Sequence, residues 1–380
     1  MQKRFFEAVA TLTGTTIGAG VLGIPYVAAK AGLAAGLLHI IIIGAAMMLV
    51  NLMLGEIALR TKGNHQLTGY AGRLLGKTGK RLMTATMVAG IYGALLAYII
   101  GVGMSISSML PGISQTAGSM AFFAAASLIV YFGLKAVEKS ELFLSFLAIT
   151  IMIALVAAAT SSDRFSQGNF TPVDPKNIFL PYGVVLFAFL GAVAVPEMKE
   201  ELGGRGRKLL RMAIITGGLI PIVLYSLFTI AIVGTSGTST QQVATQGIGE
   251  ALGGTAAILA NLFAVLVMST SFIALGLALK EMYMYDYGLG KKSAWILTCA
   301  LPIMAFLLGA RNFIATLGIA GAVAGGVEGA LLAVMHLKAR KMRWQKPEYR
   351  ISCPRIANAI LAAMFVAGIA YTLISVTGGR

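Results

Sequence analysis

Apolar residues fill this chain in runs of bilayer length, and that constrains its fold more than any motif does. Eleven windows stand out, at roughly 5–29, 33–58, 84–110, 119–134, 141–160, 178–197, 209–234, 253–279, 293–310, 313–337 and 355–376. About 20 apolar residues in a helix cross about 30 Å of hydrocarbon, and most windows approach that length. Each is read as a membrane-spanning helix. With 57% hydrophobic and 12% charged residues and a mean hydropathy of +0.84, the composition is that of a polytopic membrane protein, not a soluble core. The first window runs straight into the second, with no cleavable signal pattern.

The net charge of +16 has a simple origin. With the N-terminus in the cytoplasm, 25 of the 30 Lys and Arg residues fall in cytoplasmic segments. Only Lys30, Arg164, Lys176, Arg311 and Arg380 fall outside. Positive charge collects on the cytoplasmic side of membrane proteins, so the pattern predicts N-terminus in and C-terminus out. The expected partner of this charge is the anionic lipid surface, not nucleic acid. Cys299 and Cys353 are far apart and make no metal or disulfide pattern,. The Ser/Thr/Gln/Gly-rich segment 235–254 reads as an outside loop, with a short helix around Gln241–Leu252 and one acidic residue, Glu250.

One stretch does not suit a plain membrane helix. Thr13-Gly14-Thr15-Thr16-Ile17-Gly18-Ala19-Gly20-Val21-Leu22-Gly23-Ile24-Pro25 lies in the middle of the first window. Gly costs about 1 kcal/mol against Ala in a helix interior and Pro about 3 kcal/mol. One reading is a small-residue helix interface. The other is a break, tolerated in a bilayer only where it lines a cavity or is buried in protein. Freed N–H groups at a break can hold an anion, and freed carbonyls a cation. The sixth window favours the break, because it repeats the spacing: Gly191 stands five residues before Pro196, as Gly20 does before Pro25. The two lie five spans apart in the chain, an odd offset, so they run in opposite directions. Paired Gly/Pro interruptions in two halves point to an inverted-repeat transporter site.

The residues from Gly14 to Pro25, followed by Ala31-Gly32, resemble the first helix of the amino acid/auxin permease family, which includes the bacterial aromatic amino acid permeases. That family belongs to the amino acid–polyamine–organocation superfamily and has the leucine-transporter fold. Softer matches are Gly55 to Arg60, Leu186 to Phe189 through Pro196-Glu197, and Gly318 to Gly321. The resemblance implies an all-α membrane protein with a 5+5 inverted repeat, helices one and six broken at mid-membrane, and an eleventh helix added. Residues 1–160 would form the first repeat and 178–337 the second, with 338–380 a basic cytoplasmic loop and the last helix. It further implies a multi-pass protein of the cell membrane that imports a neutral apolar or aromatic amino acid by alternating access.

An amino acid in a dry site needs donors for its carboxylate, acceptors for its ammonium and a shaped pocket. The resemblance puts the carboxylate at the amides of Gly18, Ala19 and Gly20. It puts the ammonium at carbonyls near Thr15, Thr16, Phe187 and Ala188, and the side chain among Tyr92, Phe187, Phe189 and Gly191. A sodium ion would take the carbonyls of Gly14, Ile17 and Val267 and the hydroxyls of Thr270 and Ser271, although Ser and Thr in helices also bond back to their own carbonyls. A further sodium site of the fold needs an Asn where this chain has Val21, so none is expected there. Some relatives couple to protons through a fifth-helix Lys; here Lys139 lies only at the mouth of that helix. Carboxylates within spans are functional candidates by default. Glu328 is the deepest and is the proton or gating candidate. Glu56 and Glu197 lie near cytoplasmic ends, where pairing with Arg or Lys is the simpler reading. No cofactor beyond Na+ or H+ is expected. No nucleotide-binding motif or catalytic cluster marks an ATP-driven pump or an enzyme, and breaks that come in a pair rather than as a repeated filter disfavour a channel. Another small solute, such as a nucleobase or an amine, and a non-transporting amino acid sensor remain as alternatives. A metal-ion substrate fits poorly with Val21 and Gly191 at the breaks.

Overall fold

The computed structural model describes residues 2–378 apart from 134, 248–252, 286, 343, 344 and 353. Among these, all regular structure is helical, and helix occupies every one of the eleven windows. The first window is split into α1 (Gln2–Thr16) and α2 (Ile24–Ala31) by a 3-10 turn at Ala19–Gly23, with a bend of 46°. Then come α3 (Leu33–Arg60), α4 (Leu67–Met109), α5 (Gln115–Phe132) and α6 (Lys135–Thr160). The sixth window is split into α7 (Pro181–Ala188) and α8 (Ala194–Gly206). The chain continues through α9 (Leu210–Ser236), α10 (Gly254–Tyr285) and α11 (Lys291–Leu307). The tenth window holds α12 (Phe313–Ile319) and α13 (Gly326–Lys341), joined by a π turn at Ala320–Gly325; α14 (Pro354–Gly378) is last.

Among the described residues, seven helices are long and apolar enough to cross a membrane by themselves, and eight if the bent α1/α2 pair is one span. Two of the other windows fall short for visible reasons. The sixth is cut into helices of 8 and 13 residues, and α11 has 17. The third helix is longer than its window, because α4 takes in residues 67–75 across a bend at Gly76 (φ 75°), a backbone region that glycine enters without strain. The expected helix around Gln241–Leu252 is helical over 244–247 and not over 241–243; residues 248–252, Glu250 among them, lie outside the described residues, as do Cys353, Arg380 and the side chains of Lys139 and Arg205.

Glycines set the closest approaches. A Cβ on Gly183 of α7 would collide with the backbone of Gly318, and one on Gly321 with the carbonyl of Gly183. The tenth helix therefore lies backbone to backbone on the sixth. The half-helices α1 and α8 are tied by the Thr11 hydroxyl donating to Glu201 at 2.7 Å.

At one end of the bundle, α3, α13 and the segment 345–352 meet around a buried carboxylate. Glu56 Oε1 accepts from Arg60 Nη2 at 2.7 Å and Nε at 3.0 Å. Its Oε2 lies 3.0 Å from His336 Nε2 and accepts the Ile351 amide at 2.9 Å. Arg340 Nε stands 3.8 Å from Oε1 and donates through Nη1 to the Ile351 carbonyl. Glu56 and His336 are fully buried. Pairing with Arg, the simpler expectation for Glu56, is what the structure holds.

Candidate functional site

Both breaks are built alike. At the first, α1 ends when the Ile17 amide closes on the Thr13 carbonyl at 2.8 Å. Gly18 is then extended (φ −123°, ψ −161°), and its amide turns to Thr16 instead of Gly14. The Gly14, Thr15 and Ile17 carbonyls thereby lose their helical donors, and the Ala19 and Gly20 amides, first in a new turn, have no helical acceptor. Pro25 does not cause the break. It sits in the first turn of α2, where its missing N–H leaves no helical bond unmade. At the second break, α7 ends at Ala188 and α8 starts at Ala194, with Pro196 in its first turn and Glu197 at its positive end,.

The breaks face each other across their glycines. A Cβ on Gly20 would lie 2.7 Å from Ala188 Cα and 3.1 Å from the Phe187 ring, and one on Gly191 would strike the Thr16 hydroxyl. Gly18 is different: its Cβ would meet only Ser271 Oγ, at 3.8 Å. Gly18 therefore opens onto free space, while Gly20 lets two backbones cross and Gly191 makes room for the Thr16 side chain.

That space is a cavity of about 290 Å³. The first break lines it with residues 14–20, and the second with Phe187, Ala188 and residues 190–193. From α4 come Thr86, Met87, Gly90, Ile91, Ala94 and Tyr98; from α10 come Leu266, Val267, Thr270, Ser271, Ala274 and Leu275; Ala148, Ala324 and Glu328 complete it. No residue of α2 lines it, and of α7 only the last turn does. On that far side Gly23 packs against Val184, Ile314 and Leu317, where a Cβ would meet them at 3.1–3.2 Å. Between the first half of α4 and the end of α10, a second depression reaching Lys80, Thr84 and Tyr287 shares Met87 and Ile91 with the cavity. The cavity thus adjoins the depression between α4 and α10.

Fourteen of the sixteen residues expected at the site line this cavity. The other two, Tyr92 and Phe189, do not. The Tyr92 hydroxyl lies 2.7 Å from that of Tyr283 and donates to the Leu297 carbonyl, so it faces the α10–α11 side. Phe189 is buried against Tyr225 with ring centroids 5.1 Å apart. The aromatic wall is Phe187 and Tyr98, with Ser271 on the same cavity wall. The expected ammonium acceptors are also partly engaged. The Tyr225 hydroxyl donates to the Thr16 carbonyl at 2.8 Å and to the Ala188 carbonyl at 3.1 Å, and the Phe187 carbonyl takes the Leu190 amide at 3.2 Å.

Around the expected ion position, Thr270 gives its proton to the Leu266 and Val267 carbonyls, each at 3.0 Å. This is the ordinary back-bonding of a helical Thr, and it leaves the hydroxyl lone pairs directed away from the helix. Among the described residues no cluster of three or more His, Cys, Asp or Glu could hold a metal ion. Glu328 makes no hydrogen bond or ion pair among the described residues. Neither Tyr98 nor Tyr225 was legible as a site residue from sequence. Their only signal is a polar-tipped aromatic in an apolar run, reinforced at Tyr225 by Pro221 one turn earlier.

Two broken helices crossing at a mid-bundle cavity define a multi-pass membrane protein with the leucine-transporter fold. The crystal structure of MhsT in complex with L-phenylalanine is similar over 97% of both chains, with a TM-score of 0.68 and 15% identity. Residues 1–375 match the tryptophan/tyrosine permease family, and the chain belongs to that family. Its similarity extends to Glutamine transporter 2 of Aliivibrio fischeri, 26% identical over 85% of this chain and 86% of the relative. It is also similar to Tyrosine-specific transport system 1 of Haemophilus influenzae, 26% identical over 82% of each chain. The Tryptophan-specific transport protein of the same organism is 24% identical over 90% of this chain and 88% of its own length. Membership in a permease family accords with a chain that is not an enzyme.

Proposed function

We propose that the protein is a secondary transporter importing a neutral apolar or aromatic amino acid by alternating access. The observation that carries this reading is the cavity where the two breaks cross. Free backbone amides and carbonyls there meet a wall of Tyr98, Phe187 and small residues, which is what a zwitterion with an apolar side chain requires. The names of the relatives, transporters of tyrosine, tryptophan or glutamine, support it. The carboxylate binds at Gly18, Ala19 and Gly20, and the ammonium at Thr15 and the lone pairs left on Thr16, Phe187 and Ala188. With α1 on the cytoplasmic side, as the charge pattern predicts, the cavity faces inward, and α2, α7 and α12 form the outer seal. The wider placement in the amino acid/auxin permeases and their superfamily, and the repeats at 1–160 and 178–337 followed by 338–380, belong to the same proposal.

The coupling ion is Na+ or H+. Sodium would use the Gly14, Ile17 and Val267 carbonyls with Thr270 and Ser271. Five neutral oxygens suit a monovalent ion better than Ca²⁺ or Mg²⁺, which usually recruit carboxylates. A proton would use Glu328.

Purified protein in liposomes tests the reading. Uptake of labelled Trp, Tyr, Phe, Leu and Gln is compared under a sodium gradient, a pH gradient and neither. Gradient-driven uptake of an aromatic or apolar amino acid is expected. If none of the five is taken up or bound while a nucleobase or an amine is, the proposal fails. Thr270→Val with Ser271→Ala should abolish any sodium stimulation and weaken substrate binding together, since such coupling is reciprocal.

A further inference from the structure

Each break leaves one carbonyl that turns to the same atom. Thr16 ends α1 and Ala188 ends α7, 172 positions apart in sequence, and both carbonyls point at the Tyr225 hydroxyl, at 2.8 and 3.1 Å. Two carbonyl oxygens held this close repel unless a proton or a cation lies between them. Tyr225 supplies the proton. Its residue is fully buried, and its ring packs at a tilt against Phe189 of the second break. The helix that carries it is shaped for the contact. Pro221, one turn before Tyr225, has no N–H to give the Gly217 carbonyl,. That carbonyl instead accepts the Thr13 hydroxyl at 3.4 Å. Gly217 also lets Leu12 approach, to 3.1 Å from where a Cβ would be. Thus α9 grips the end of α1 at two levels and the end of α7 at one.

We propose that Tyr225 is the positioning residue of the substrate site: its one hydroxyl proton, shared between the Thr16 and Ala188 carbonyls, fixes the two breaks relative to each other. This rests on the transport function proposed above. The consequence is specific. Thr16 and Ala188 lie on the cavity wall, and the Gly18–Gly20 amides follow Thr16 directly. Moving one break against the other separates the groups that hold the carboxylate from those that hold the ammonium. A phenol has one proton for two acceptors, so a donor with two protons at the same place should clamp at least as well.

The test uses the full chain with three residues at position 225: Tyr, Phe and 4-aminophenylalanine. Phe keeps the ring and its contact with Phe189 but has no donor. The amine keeps the ring and has two. Equilibrium binding and initial uptake of the best aromatic substrate are measured, with thermal melting as a control. The expected result for Tyr225→Phe is affinity weakened about tenfold, the loss of roughly one buried hydrogen bond, and 4-aminophenylalanine should restore it to within about twofold. If Tyr225→Phe binds and transports like the wild type, the proposal is overturned. If it does not fold, the 4-aminophenylalanine protein decides the matter: it must fold and bind as the wild type does, and failure there also overturns the proposal. A wild-type protein that binds no amino acid would sink the transport reading instead, and the first arm of the experiment identifies that case.

Discussion

Glu56 and Glu328 both lie inside the bundle, and they differ in every contact they make. Glu56 is enclosed by Arg60, His336, the Ile351 amide and, more distantly, Arg340. Glu328 faces the cavity beside Ala324 and has no partner among the described residues. Removing a charge from water costs several kcal/mol unless partners compensate it. Glu56 is compensated on both oxygens, so it joins α3, α13 and the 345–352 segment into a rigid corner. Glu328 has only the cavity to solvate it, so its surroundings change whenever the cavity empties, fills or closes. A membrane carboxylate saturated with partners holds structure, and one aimed into a solute path is placed to respond to the solute.

The largest expected effect breaks the corner. Glu56→Ala leaves Arg60, Arg340 and buried His336 without their anion. Loss of one partner of such a buried set costs about 3–5 kcal/mol, so a steep fall in melting temperature and in folded yield is expected. A melting curve matching the wild type would erase the distinction between the two carboxylates. Next comes Glu328→Gln, which keeps volume and removes charge. It should fold normally and still bind substrate, while gradient-driven uptake falls by about tenfold or more, a change of about 1.4 kcal/mol. Unchanged uptake under both gradients would remove Glu328 from the coupling reading.

Two glycines sharpen the contrast between packing and binding within the first break. Gly20→Ala puts a methyl 2.7 Å from Ala188 Cα, and such overpacking costs about 1–3 kcal/mol, so melting temperature and uptake should drop together. Gly18→Ala meets only Ser271, at 3.8 Å, in an extended backbone any residue adopts. It should leave melting unchanged and weaken binding a few-fold. The reverse pattern would mean that the cavity is not the substrate site. The smallest effect belongs to Tyr92→Phe. It loses bonds to Tyr283 and Leu297 away from the cavity, so about 1 kcal/mol of stability should go with binding intact.

The two aromatic corrections have a common cause. A helix turns about 100° per residue, so Tyr92 and Tyr98 lie on different faces of α4, and Phe189, just past the end of α7, turns away to Tyr225 while Phe187 faces the cavity. Apolar windows of nearly uniform hydropathy say little about which face meets the protein and which the lipid. The rotation of each helix, and hence which aromatic reaches the cavity, was set by neighbours many residues away in sequence. The same holds for Glu56, whose partners come from α3, α13 and residue 351.

The sequence by itself determined the places of the helices, the two breaks and the family, because each rests on local chemistry. Apolar length predicts a span, and glycines and a proline at matched spacing predict an interruption. Even so, the mechanism of the break was decided elsewhere: Gly18 ends the helical hydrogen bonding, and Pro25 merely starts the next helix. Only the tertiary structure separated Gly18, where a side chain would have room, from Gly20, pressed on the Ala188 backbone, and Gly191, pressed on the Thr16 hydroxyl. It alone joined Thr16, Ala188 and Tyr225, residues from three separate helices, at one hydroxyl. Local sequence fixes where a carbonyl is freed, but what the carbonyl then meets depends on how distant helices pack.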